Sequence, residues 1–176
     1  TQIIARIAKA YNSEVDHYGF IINGNFERGH HRGGGEYVNA IERDRVRAIQ
    51  LYFQAMPLVE KSTEKLAKFA FFRDFADAVF GTSAWKLQTL TDISVLPDYE
   101  KGYFGYRSGN YGAPVDEKGN PIYYKISANL ADSKNDGERW RYLLFAAGEA
   151  FPERKDDMEM TFANFLLSQF GVQTMQ

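Results

Sequence analysis

The chain has 176 residues, 44% of them hydrophobic, enough for a single domain with a buried core and too many for a disordered polypeptide. Its formal net charge of −2 argues against a dedicated duplex-DNA binder, which needs a basic face to neutralise phosphates. Cysteine is absent, so disulfides, thiolate zinc sites, iron–sulfur clusters and a cysteine nucleophile are excluded.

No stretch approaches the roughly 18 apolar residues that span a bilayer, so direct membrane insertion is not expected, and the charge balance makes a nucleic-acid partner unexpected. The 14 Phe, 11 Tyr and 2 Trp predict an aromatic-rich interior. The chain starts at Thr1, and its first residues are amphipathic without the layout of a signal peptide, which suggests a processed fragment that has lost any address label.

Ile3, Ile4, Ile7, Tyr11, Val15 and Tyr18 recur every three to four residues and predict a first helix over about 2–18, stopped near Gly19. Residues 20–26 then form a tight reverse turn or hairpin around Asn23-Gly24, a pair that tolerates positive φ. A Gly-rich segment with Arg28, His30, His31, Arg32 and Glu36 follows, and it is expected to run straight into a second helix from Tyr37. That helix turns Val38, Ile41, Val46, Ile49, Phe53 and Met56 inward, with Glu42, Arg43, Asp44, Arg45 and Arg47 mostly toward water.

Pro57 is expected to bend or end the second helix. Ser62 or Thr63 can cap a third, which carries Leu66, Phe69, Phe72, Val79 and Phe80 up to Gly81 and pairs antiparallel with the second. Trp85, Leu87 and Leu90 suggest a short fourth helix capped by Thr82 or Ser83. From 93 to 128 the pattern breaks into a Pro-, Gly- and Tyr-rich insertion, read as a β-hairpin in a long loop, with a turn over 116–121 before a strand over 122–126. Asn135 or Asp136 caps a fifth helix containing Trp140, Leu143 and Leu144, ended by Phe151-Pro152. The sixth carries Met158, Phe162, Phe165 and Phe170 and stops at Gly171.

The fold expected is therefore mainly α: irregular, tetratricopeptide-like antiparallel helical pairs with a β-hairpin and long-loop insertion. Residues 1–176 make one helical domain, with a first helical unit over 1–92, the insertion over 93–128 and a second helical pair over 129–176.

The Gly-rich segment is the natural place to look for a ligand, since glycines leading to a helix N-terminus bare N–H groups to an anion, and Arg28 and Arg32 add charge. Its chemistry is thin. His17, His30 and His31 with Glu27 or Glu36 lack metal-ligand spacing, and adjacent histidines point apart in an extended chain. No Lys-Ser/Thr follows the glycines as in a nucleotide phosphate loop, and no serine sits in a Gly-x-Ser-x-Gly elbow. The structural reading is preferred: Arg28 and Arg32, with His30, His31 and Glu36, clamp carboxylates or helix-end carbonyls of neighbouring segments. Tyr103, Tyr106 and Tyr111 offer an aromatic surface for sugars, bases or peptides, or else close the long loop over the helices, which is preferred.

Several strings together carry a family resemblance: Phe26-Glu27-Arg28-Gly29 with Arg32-Gly33-Gly34-Gly35, Asp44-Arg45-Val46-Arg47-Ala48, Leu87-Gln88-Thr89-Leu90-Thr91-Asp92, and Leu96-Pro97-Asp98-Tyr99. Gly112-Ala113-Pro114-Val115-Asp116, Asp136-Gly137-Glu138-Arg139-Trp140 and Ser168-Gln169-Phe170-Gly171-Val172-Gln173-Thr174 complete the set. In this order they resemble the helical N-terminal part of large planctomycete-type bacterial proteins of the alpha-2-macroglobulin family. The resemblance implies an envelope-associated or secreted multidomain protein whose β-sandwich domains and protease trapping lie outside this chain. Thioester chemistry in that family needs a cysteine that this chain lacks, so no catalytic residue is carried over.

The function expected is a non-enzymatic scaffold or protein-interaction domain that needs no cofactor and whose partner is a polypeptide, another domain of the same chain or a separate protein. The alternative is a small-ligand, metal-binding or hydrolytic domain using the Gly-rich His/Arg loop.

Overall fold

The computed structural model describes residues 2–30, 33–82, 84–102 and 115–171. They fall into two compact units, Thr1–Met56 with Asp92–Arg107 and Pro57–Thr91 with Ser108–Gln176. This division cuts across the segments 1–92, 93–128 and 129–176 marked out by sequence pattern.

In the first unit, α1 (Gln2–Ser13) is shorter than its periodicity predicts. Glu14 and Val15 both donate their N–H to the Ala10 carbonyl, and the Asp16 carboxylate accepts from the Tyr18 N–H, so the chain turns before Gly19 is reached. Tyr18 belongs instead to a run of strand formers, Tyr-Gly-Phe-Ile-Ile, that pairs on both sides.

That run is β1 (Tyr18–Ile22), which joins β2 (Asn25–Arg28) through Asn23 at φ 51° and Gly24 at φ 79°. This is the hairpin expected at Asn-Gly, with both turn residues in the left-handed region. Ile22 stands opposite Asn25 and Gly19 opposite Arg28. A Cβ on Gly19 would lie 2.1 Å from the Glu27 carbonyl oxygen and 2.7 Å from the Phe26 ring, so only glycine fits there.

The Gly-rich segment does not run into a helix. A third strand, β3 (Glu36–Asn39), intervenes and pairs antiparallel with β1, while β4 (Glu100–Lys101) adds to its other edge, giving the order β2-β1-β3-β4. Tyr37 stands opposite Phe20 with ring centroids 5.1 Å apart and stacks on Tyr18 at 6.1 Å. These cross-strand aromatic pairs favour the extended state for residues that also fit a helical period.

The second helix, α2 (Ile41–Glu60), starts four residues later than expected, with the Asn39 side chain accepting from the Ile41 N–H at 3.2 Å. Val46, Ala48, Ile49, Tyr52 and Ala55 are buried along it. Pro57 does not end the helix, which continues through it to Glu60. The proline removes the N–H that would reach the Phe53 carbonyl and its ring crowds that carbonyl, yet three further residues continue the helix past it.

In the second unit, α3 (Lys65–Phe80) closes at Gly81, whose φ is 62° and whose N–H reaches the Asp77 carbonyl at 3.0 Å. Glu64 at its N-cap makes no side-chain cap bond, and Ser62 accepts from the Glu64 N–H outside the helix. The expected fourth helix is a 3₁₀ turn, Ala84–Gln88, in which the two buried residues Ala84 and Leu87 are three apart, the spacing that such a turn aligns. Ser83 lies outside the described residues.

Asn135 caps α4 (Asp136–Ala150), its side chain accepting from the Glu138 N–H at 2.8 Å. A turn over Pro152–Arg154 leads to α5 (Lys155–Leu166), which widens into a π turn over Leu167–Gly171. Phe69 meets Phe151 while Phe80 meets Trp140, so α3 and α4 run antiparallel. Trp140 also meets Phe162 and Phe165 at 5.8 and 4.8 Å, while Gly148 approaches Lys155, so α4 and α5 are antiparallel as well. The core of this unit is thus an aromatic cluster with α4 in the middle.

Of the hairpin expected in the insertion, the described residues show one bridge, between Val115 and Pro121. Asp116 closes that turn by accepting from the N–H groups of Lys118 and Asn120, both at 2.8 Å. Residues 122–126 form no strand, and Tyr124 within them is turned inward, 3% exposed, with its ring against Gly137 and Phe165. Among the described residues no helix is long and apolar enough to cross a membrane.

Candidate functional site

Of the residues singled out in the sequence, Arg28 has the most developed environment. From the end of β2 its guanidinium donates to both carboxylate oxygens of Asp44, at 2.6 and 2.5 Å, and to the Asp16 carbonyl at 2.9 Å. His17 Nδ1 meets the same Asp44 carboxylate at 2.9 Å. Asp44 lies in the first turn of α2, and its side chain is 3% exposed.

Burial pushes the Asp44 carboxyl up, but the hydrogen bonds and charges of Arg28 and His17 outweigh it and hold the group below its ordinary 3.8. The Arg28 guanidinium, hydrogen-bonded to Asp44, is raised further above its already high value and stays charged. The sequence pattern placed Asp44 toward water. The charge spacing held no signal for the opposite reading, because Asp44 falls in the first turn only once α2 starts at Ile41.

A ladder of rings and cations extends from this pair within the first unit. The Arg28 guanidinium lies 5.6 Å from the Tyr11 ring centre and 5.3 Å from that of Phe26, Phe26 stacks on Tyr99 at 4.4 Å, and Arg43 covers Tyr99 at 4.8 Å. Arg43 also donates to the Pro97 carbonyl at 2.6 Å, and Gln50 to that of Ile93 at 2.8 Å. The start of the insertion is thereby laid along α2.

The other candidates are more scattered. Glu36 forms an exposed ion pair with Lys101 at 2.6 Å, which joins β3 to β4, and His30 is exposed. His31, Arg32, Tyr103, Tyr106 and Tyr111 lie outside the described residues. Among the described residues no three His, Asp or Glu side chains converge as metal ligands.

A second buried carboxylate went unnoticed in the sequence except as a helix cap. Asp136 is 2% exposed; it accepts from the Thr91 N–H and from Arg139, each at 3.1 Å, and from the Thr91 hydroxyl. Its own N–H donates to the Thr89 carbonyl at 2.8 Å, and Arg139 donates to the Thr91 carbonyl at 3.0 Å. Asp136 fastens 89–91 to the start of α4, as Asp44 fastens β2 to the start of α2.

The second unit also carries a cleft of about 450 Å³, bordered by α3, α4, the end of α2 and residues 126–128. Phe72 and Ala146 line it together with the half-exposed rims of Phe145 and Ile126.

No protein-family model, curated protein or solved structure matches the chain. Chemically, the carboxylates of Asp44 and Asp136 have their oxygens engaged by internal donors, whereas a general base needs an oxygen directed at a substrate proton.

Proposed function

We propose that the chain is a non-enzymatic scaffold or protein-interaction domain, a piece of a larger alpha-2-macroglobulin-like protein of the bacterial cell envelope or extracellular space. The observation that carries the interaction reading is the cleft of the second unit, whose apolar rims Phe145 and Ile126 are 39% and 40% exposed. A partner segment laid there would bury that surface, and an amphipathic cleft between helices suits a peptide. A helical-repeat-like relation of α4 and α5 belongs to the same proposal. The parent protein and its compartment rest on the sequence resemblance alone.

The loop as a ligand or hydrolytic site has less support, because Arg28 already donates to Asp44 and to the Asp16 carbonyl. The interaction reading is tested by placing a photo-crosslinking phenylalanine analogue at Phe145, with Met160 on α5 as control. Capture of one defined polypeptide or sister domain from Phe145 alone supports it; equal capture at both positions, or none, overturns it. A full reading frame without a signal peptide or β-sandwich domains would remove the envelope assignment.

A further inference from the structure

We infer that Asn23, in the turn between β1 and β2, is a self-modification site at which the chain converts its own amide to aspartate or isoaspartate, and that the hairpin gates this reaction. The sequence holds one Asn-Gly pair, Asn23-Gly24, and one Asp-Gly pair, Asp136-Gly137. Glycine is the neighbour whose main-chain nitrogen approaches the preceding side chain most freely, because no Cβ stands in the way. Asn23 and Gly24 are both exposed, and a Cβ on Gly24 would meet nothing within 4 Å. The Asn23 amide makes no hydrogen bond among the described residues. The second pair is closed: the Asp136 carboxylate is buried and bonded by Thr91 and Arg139, and a carboxylate is a poor electrophile.

The reaction is an exchange with water. The Gly24 nitrogen, its proton taken by hydroxide, attacks Asn23 Cγ; the new C–N bond closes a five-membered succinimide and ammonia leaves. Water then opens the ring at either carbonyl. One product is aspartate with the original main chain; the other is isoaspartate, whose main chain runs through Cβ and is one carbon longer. The folded turn opposes the first step. Positive φ at both Asn23 (51°) and Gly24 (79°) makes the turn type I′, with a ψ of about +30° at its first central residue. There the Gly24 nitrogen stands almost opposite Cβ across the Cα–C bond, whereas ring closure needs the two eclipsed. Closure therefore proceeds from the opened hairpin, at a rate set by how often it opens.

The longer product does not refit. Two residues alone join β1 to β2, with Ile22 opposite Asn25 and Gly19 opposite Arg28. Arg28, at the end of β2, donates to both oxygens of the buried Asp44. An extra main-chain carbon at position 23 displaces that register and draws the guanidinium away from its carboxylate. The turn is thus a slow, irreversible switch on the Arg28–Asp44 pair.

The test holds the intact chain in mild alkali, either folded or unfolded in guanidinium chloride, and follows residue 23 by peptide mass mapping, with isoaspartyl methyltransferase labelling to report isoaspartate. The gate predicts conversion of Asn23 at least about tenfold slower in the folded chain than in the unfolded one. Equal rates overturn the gate, and an Asn23 that stays intact in the unfolded chain overturns the site. The switch is read separately. Isoaspartate chains, made unfolded, separated by ion exchange and returned to buffer, should melt below the parent or fail to refold. The variant Asn23→Asp carries the same charge on the normal main chain, and aspartate tolerates the left-handed turn, so it should melt with the parent. Isoaspartate chains that also melt with the parent overturn the link to the ion pair.

Discussion

Arg28 and Asp44 form a two-pronged ion pair between the end of β2 and the first turn of α2, with N···O distances of 2.6 and 2.5 Å. The arginine is partly open to water and the aspartate is not. The pair replaces solvation that the aspartate has lost, so breaking it leaves a buried charge unmatched.

Removal of one partner is therefore costly. Arg28→Ala should destabilise the chain by about 2 to 4 kcal/mol, measured by urea unfolding. Arg28→Lys should recover only part of this, because an ammonium cannot donate to both oxygens in the plane of the carboxylate. A loss under 0.5 kcal/mol for Arg28→Ala would show that the pair is an incidental surface contact.

The same pair makes stability depend on acid. Asp44 is held below 3.8 in the folded chain, so its contribution is fully present above that value and is lost as the pH falls through the lower folded value. Unfolding free energy should drop on going from pH 5 to pH 2. In Asp44→Asn, which starts less stable, this part of the drop should be absent; an unchanged acid profile in that variant would refute the assignment.

Gly137 and Tyr124 are in steric register. A Cβ on Gly137 would lie 2.2 Å from the Tyr124 ring, so Gly137→Ala should destabilise by about 1 to 3 kcal/mol despite the roughly 1 kcal/mol that alanine usually adds to a helix. Tyr124→Leu in the same chain should return part of the loss. If Gly137→Ala alone raises the melting midpoint, the close packing of this ring is wrong.

Tyr124 also has a spectroscopic signature. Burial pushes its phenol up to about 12, so Tyr124 should stay protonated in ultraviolet titration after exposed tyrosines have ionised. Replacement by phenylalanine should remove that late step and leave the earlier ones; persistence of the step would assign it to another residue.

At the start of α4, Asn135→Ala should cost about 1 kcal/mol by removing the acceptor of the Glu138 N–H, and Asn135→Ser should restore most of it. Denaturant midpoints at constant slope are the appropriate measurement.

Local signals in the sequence located the Asn23-Gly24 turn, the Gly81 stop and the Asn135 cap because each depends on a few neighbouring residues. The same local reasoning failed at Tyr37 and Asp44. Tyr37 fits a helical period, but its ring is placed by Phe20 and Tyr18, nearly twenty residues earlier in the chain. Asp44 has the outward spacing of a charged helix residue, yet Arg28 and His17 hold it inside. Of the candidate site, Arg28 was legible as a clamp; its partner was not, because a charge pattern names a donor and leaves open which of several carboxylates folds against it.

Composition and contacts within a few residues make the chain mainly helical, cysteine-free and rich in aromatic rings, and they set the Asn23-Gly24 turn, the Gly81 stop and the Asn135 cap. Tertiary contacts place three strands before α2 and join Glu100–Lys101 to them as a fourth, keep Pro57 inside a helix, make Tyr124 core, and let two buried aspartates fasten the helix starts. Each of these depends on contacts between segments distant in sequence, where burial and ion pairing outweigh local propensity.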